Sequence, residues 1–157
     1  MIVTPLFKKL NFKQHKEILI VNHPAEFEAE LNAMKDCTTI ITDIKNISEI
    51  EFVLVFIKTQ TEINTITPLI AKKLKGDGIV WFAYPKGTSK KYKAEISRDN
   101  GWKMLGKSDF EAVRQVAIDE DWSALRFRKV EFIRTMSRST DFAMTKQGKQ
   151  KTQKPDR

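Results

Sequence analysis

The residues of this chain best suited to chemistry stand at the ends of its apolar runs. Asn22 and His23 close the run from Lys16 to Val21, Asp43 closes Thr38 to Thr42, Lys58 and Thr59 follow Phe52 to Ile57, and Tyr84, Pro85 and Lys86 end Gly78 to Ala83. In an open α/β sheet the ligand crevice lies beyond the carboxyl ends of the strands, where the chain reverses its winding direction. Two lysines and a histidine, gathered there with helix N-termini, would favour an anion. The expectation is a shallow site for a phosphate-bearing or carboxylate ligand. The plainer alternative is that lysines bordering loops are only solvated.

The remaining candidates each carry two readings. His23 could serve as a general base near neutral pH, or as a helix cap just before Pro24. His15 sits among lysines and is expected to face solvent. Cys37 has no paired base in sequence and reads as inert. Asp119-Glu120-Asp121 could meet a hard cation, but three adjacent acids in a turn diverge in direction, so they read as hairpin turn chemistry. Trp81, Trp102 and Trp122 could stack on rings. Trp81, inside the most apolar run, reads as core, and Trp102 is the one whose exposure the sequence leaves open. No metal or cofactor motif stands out.

Those groups need elements to position them. Thr4 before Pro5, with Leu6 and Leu10 four apart, predicts a short helix. Lys16 to Asn22 is a buried-strand run, and Pro24 opens a second helix with Phe27, Leu31 and Met34 on one face and Glu26, Glu28 and Glu30 turned to water. Thr38 to Asp43 and Phe52 to Ile57 are two further strands. The link of about eight residues between them is too short for a helical crossover between neighbours. Either the two pair antiparallel, or the later strand lies on the far side of the first, which its unbroken apolar character favours.

From Thr61 to Lys75, Ile63, Ile66, Ile70 and Leu74 recur at helical spacing, and Pro68 should kink or split that helix. Gly76 and Gly78 read as its stop, and Ile79 as the start of a central buried strand. A Lys-rich loop follows, then a short helix from Ser97 to Leu105. Phe110 to Asp119 is ambiguous: Ser108 to Glu111 looks like a capping box, whereas the alternation of Leu125 and Phe127 against Arg126 and Arg128 looks like one arm of a hairpin. The hairpin is the reading adopted.

The chain of 157 residues suits one domain, at 1–133, able to bury roughly 70% of the surface of its unfolded form. Of its net charge of +8, five units lie beyond residue 133, where seven basic residues face two acidic ones. The stretch 134–157 is therefore read as a basic, apolar-poor, disordered tail, with nucleic acid as a partner it could serve. One cysteine, no leader and no long apolar run make the expectation cytoplasmic, with no membrane partner.

Four stretches together resemble a family of small stand-alone bacterial proteins known only as a domain of unknown function. They are Thr4 to Leu10, Val21 to Pro24, Trp81 to Lys86, and Val116 to Phe127, and the resemblance spans about residues 4–130. It brings no activity and so implies no catalytic residue. The order of strand, helix, strand and terminal hairpin is also similar to the class I methyltransferase sheet. That likeness implies a cofactor turn after the first strand, with Asp43 where such folds often hold a ribose. Here the turn is Asn22-His23-Pro24-Ala25, without glycine, and the spaced glycines of a dinucleotide fingerprint are absent.

The sequence thus predicts a three-layer Rossmann-like or methyltransferase-like α/β fold, mostly parallel, with about six strands ending in an antiparallel hairpin. The favoured function is a non-catalytic binding or regulatory module with a small-anion crevice and no cofactor. The alternatives are an unusual methyltransferase-like transferase, and a nucleic-acid-associated protein using the tail with Arg126 and Arg128.

Overall fold

Side-chain alternation along β3 (Ile50–Phe56) and β4 (Leu74–Pro85) divides the apolar residues between two cores. Phe52, Leu54, Phe56, Ile79, Trp81 and Ala83 face one way, and Val53, Val55, Val80, Phe82 and Tyr84 the other. Strands with both faces apolar must be covered on both sides, which fixes them at the centre of a three-layer stack. The computed structural model describes residues 2–133. The remaining elements are α1 (Pro5–Lys9), β1 (Glu17–Val21), α2 (Glu28–Met34), β2 (Thr39–Ile41), α3 (Gln60–Lys73), α4 (Lys103–Lys107), β5 (Phe110–Ala117) and β6 (Trp122–Lys129).

The six strands run in the order β2-β1-β3-β4-β6-β5. β1 to β4 are mutually parallel, β6 pairs antiparallel with both β4 and β5, and so β6 alone runs against the rest. This is the Rossmann-like, methyltransferase-like α/β architecture expected. β3 lies across β1 from β2, as the short link and the apolar run require.

Local chemistry explains most element ends. The Thr4 hydroxyl accepts the Phe7 N–H at 3.2 Å and Pro5 opens α1, whose Phe7 and Leu10 enter the first core. The Trp81 indole locks that helix to the sheet, donating to the Leu10 carbonyl at 2.9 Å. A 3₁₀ turn, Ala25–Phe27, precedes α2, and Phe27, Leu31 and Met34 are buried as the spacing predicts. Asp119 accepts the N–H groups of Asp121 and Trp122, both at 2.8 Å, and shapes the hairpin turn.

One expectation is narrowed and three are corrected. Of the two outcomes expected at Pro68 the split does not occur, since α3 continues through it as one helix: Pro68 lies on the exposed side, where the carbonyl it cannot serve can be hydrated, and the Thr67 hydroxyl donates to the Ile63 carbonyl at 2.7 Å. Lys75 to Gly78 form no stop between elements. β4 starts at Leu74 directly from the helix, and the extra residues are absorbed as an irregularity against β3, with Gly76 at φ 54°. The helix expected from Ser97 begins only at Lys103, because Ser97 and Asn100 bridge each other and Gly101 takes φ 105°. His15 is half-buried rather than solvent-facing, with its ring 5.6 Å from Phe12 and 5.7 Å from Phe52.

Among the described residues no helix is long and apolar enough to cross a membrane. The stretch 134–157, with the expected basic tail, lies outside the described residues.

Candidate functional site

The winding reverses between β1 and β3. The chain leaves β1 toward β2 on one side, then returns to build β3 and β4 on the other. The crevice that such a reversal leaves at the carboxyl ends of the strands is present, with a cavity volume of about 570 Å³. Its floor is Phe56 and Trp122, one side is the turn from Asn22 to Glu26, and Lys58, Glu62, Lys91 and Tyr92 complete it.

The turn after β1 is sharp without glycine. Asn22 takes φ 61°, a left-handed conformation that asparagine tolerates better than most residues. Pro24 is extended and supplies no N–H to a ligand, so this turn cannot cradle an anion with successive amides as a glycine-rich one does. The N-terminus of α3 is equally committed. Thr59 and Glu62 form a capping box in which the Glu62 carboxylate accepts the N–H groups of Lys58 at 2.7 Å and Thr59 at 3.0 Å. The expectation that helix N-termini gather to hold an anion is therefore not met here, and any attraction must come from side chains.

Those side chains centre on Tyr92, carried by the loop after β4. Its hydroxyl donates to Glu26 at 2.6 Å, and Lys91 donates to the other oxygen of the same carboxylate at 3.4 Å. The Tyr92 hydrogen bond chiefly holds the Glu26 carboxyl below its usual range, and Glu26 in turn raises the Tyr92 phenol and the Lys91 ammonium. The Lys58 ammonium stands 4.9 Å from the Tyr92 ring centroid, a cation–π distance, and makes no ion pair among the described residues. Behind Tyr92 lies Trp122, at 5.0 Å between ring centroids, with Phe56 edge-on to Trp122 at 5.1 Å. The loop is tied down by Glu95 N–H donating to the Lys58 carbonyl at 3.0 Å and by Ser89 Oγ donating to Asp121 at 2.8 Å.

Of the sequence candidates, Asn22, His23 and Lys58 meet in this crevice. Trp122, a candidate stacking ring, lines it as well, whereas Asp43, Thr59, Tyr84, Pro85 and Lys86 do not. Asp43 caps a 3₁₀ turn, Ile44–Asn46, through a bond from Lys45 N–H, and Thr59 caps α3. Tyr84 is 4% exposed and points to the opposite face of the sheet, where its hydroxyl accepts from Gln115 at 3.1 Å. Pro85 is buried in β4, and Lys86 binds the Asp121 carbonyl through its N–H at 2.8 Å. His23 Nε2 is paired with the Glu28 carboxylate.

Sequence reasoning missed Glu26, Glu62, Lys91 and Tyr92. The one available signal was a tyrosine set among lysines 90, 91 and 93, an odd place for an aromatic residue unless it packs on something. Trp102, left open as a platform, is buried at 5% exposure against Phe82 and Phe127. Among the described residues no group of three His, Cys, Asp or Glu side chains could hold a metal.

No protein-family model matches the chain, and no curated protein does. The resemblance to a bacterial family of unknown function therefore stays an expectation. Among solved structures, the chain is similar to the N-methyltransferase NodS from Bradyrhizobium japonicum WM9, at 19% identity over 73% of this chain and 74% of that one, TM-score 0.47. It is similar to a SAM dependent methyltransferase from Aquifex aeolicus at 9% identity, over 78% and 87% of the two chains, TM-score 0.49. It is also similar to the Methanococcus jannaschii fibrillarin pre-rRNA processing protein at 12% identity, over 74% and 67%, TM-score 0.47. At such identities and scores these likenesses say nothing of activity; the architecture, a Rossmann-like α/β sheet of methyltransferase type, rests on the strand order itself.

Proposed function

We propose that the crevice at the β1 and β3 ends binds a small oxyanion, a carboxylate or phosphate group, and that the protein is a binding or regulatory module rather than a catalyst. The observation that carries this reading is Lys58. Glu26 is already held by Tyr92 and Lys91, Glu62 by the backbone of the α3 cap, and the Lys58 ammonium is left over an aromatic face without a carboxylate. His23, the crevice histidine, is paired with Glu28.

A second reading, a methyltransferase-like transferase, is favoured by the sheet order and by the position of the crevice at the winding reversal. The turn argues against it, since Pro24 stands where backbone amides would approach a cofactor.

Thermal unfolding with inorganic phosphate, acetate or S-adenosylmethionine separates the readings. A ligand at roughly 100 times its dissociation constant adds about 2.7 kcal/mol of stability. Phosphate or acetate is expected to stabilise the protein, Lys58→Ala to abolish the effect, and Lys86→Ala, outside the crevice, to leave it. Equal responses in both variants would sink the crevice reading, and stabilisation by S-adenosylmethionine alone would favour the transferase.

A further inference from the structure

The three tryptophans make an internal comparison. Trp81 Nε1 donates to the Leu10 carbonyl at 2.9 Å, and Trp102 Nε1 donates to the Ser97 carbonyl at 2.8 Å. Trp122, at 1% exposure the equal of the other two in burial, has an Nε1 donor with no acceptor among the described residues. Buried indole N–H groups ordinarily find a partner, and an orphaned donor is a standing cost to the fold. This one belongs to the ring that floors the crevice.

No described residue accepts it in this arrangement. Both Glu26 oxygens receive protein donors, and Phe56, packed against the indole, is apolar. The crevice is therefore lined by two side chains whose donors have no acceptor oxygen among the described residues, the Lys58 ammonium and the Trp122 indole, both packed against the Tyr92 ring. Tyr92 packs on the indole and is held there by its hydroxyl on Glu26, its own N–H on Ser89 Oγ at 3.0 Å, and the Lys58 and Lys91 ammonium groups at 4.9 and 5.5 Å from its ring centroid.

We infer that Trp122 Nε1 is the orienting donor for the crevice ligand, whose oxyanion bridges Lys58 and the indole once the Tyr92 ring moves aside. This rests on the crevice reading above and sharpens it: a bare counter-ion needs only Lys58, whereas an oxyanion with two or more oxygens can take both donors at once. A ligand lacking a second acceptor would leave the indole unpaired and bind more weakly.

The test is titration of the uniformly ¹⁵N-labelled protein with inorganic phosphate and, separately, acetate, following the three indole N–H resonances. Trp122 is expected to move downfield with the saturation seen in thermal unfolding, while Trp81 and Trp102 hold still. Trp122→Phe, which keeps a ring and removes the donor, is expected to weaken binding about tenfold, the size of one hydrogen bond to a charged group. If the anion stabilises the protein through Lys58 but the Trp122 resonance does not follow, the inference is wrong and the crevice reading stands. If neither anion stabilises the wild-type protein, both fall. The resonance titration needs no variant, so the inference stays open to refutation even where Trp122→Phe folds poorly.

Discussion

Tyr92 donates its hydroxyl proton to Glu26 across 2.6 Å, joining the loop after β4 to the turn after β1. Two segments 66 positions apart in sequence thereby share one hydrogen bond at the mouth of the crevice. Tyr92→Phe and Glu26→Gln are expected to speed amide hydrogen exchange across residues 89–95 with little change in the global unfolding midpoint. The bond also has an acid signature. Because the folded-state carboxyl is held below the ordinary 4.5, its stabilisation is present above that value and is lost as pH falls through the lowered one. Glu26→Gln should flatten the fall in stability in that acid range, read from urea midpoints below about pH 5.

His15 gives a second pH dependence, in a higher window. Burial between Phe12 and Phe52 lowers its pKa from 6.5, with the Glu51 carboxylate opposing more weakly and its Nδ1 accepting the Lys13 N–H. A lowered folded-state value means that the unfolded chain binds the proton first as pH drops. Stability should therefore be greatest above 6.5 and decline as pH falls from there through the folded-state value. His15→Gln should remove this decline, as measured by thermal midpoints at about pH 7.5 and 5.5.

The capping box at Thr59 is expected to behave as a structural device. Thr59→Ala removes the side-chain acceptor for Glu62 N–H and should cost about 1 kcal/mol, with an unchanged denaturant slope. If anion binding survives in that variant, the α3 cap has no part in the site.

Gly101 is the glycine whose replacement should hurt most. It sits at φ 105°, and an added Cβ would collide with the Ile96 side chain, so Gly101→Ala combines a steric clash with a backbone conformation that other residues avoid. A loss of about 2 kcal/mol or more is expected from equilibrium unfolding.

The basic stretch from residue 134 onward bears on the nucleic-acid alternative. Seven of the chain's basic residues lie there, while Arg128 is already committed to Asp77 through a bond of 2.6 Å and two of 3.0 Å. A chain ending at Ile133 is expected to lose most of its salt-sensitive retention on heparin while keeping its unfolding midpoint. Retention that persists after truncation would move the binding to the sheet surface around Arg126.

The sheet was legible because its information is local and redundant. Runs such as Phe52 to Ile57 and Ile79 to Ala83 have no polar face to spare, so they had to be central. The eight-residue link before β3 then left one sensible side for it. Pro68 left two outcomes open because an exposed proline in an otherwise strong helix is tolerated, and Lys75 to Gly78 misled because glycine marks bulges as readily as stops. The site was only half legible for a different reason. Asn22, His23 and Lys58 follow from strand ends alone, but Glu26, Tyr92 and the orphaned Trp122 donor arise from how a long loop folds back over those ends. Tyr84 shows the same limit in reverse, since one residue of alternation sends it to the opposite core.

The two margins of the sheet differ from its centre. β2 has only three residues, and β5 breaks its ladder between Ala112 and Arg114, turning Val113 outward and setting arginine beside it. A strand edge that is short, or bent and charged, offers a poor template for another chain's backbone. Copies of this protein crowded together should therefore resist growing into a shared sheet, and any association between them would have to be made by side chains.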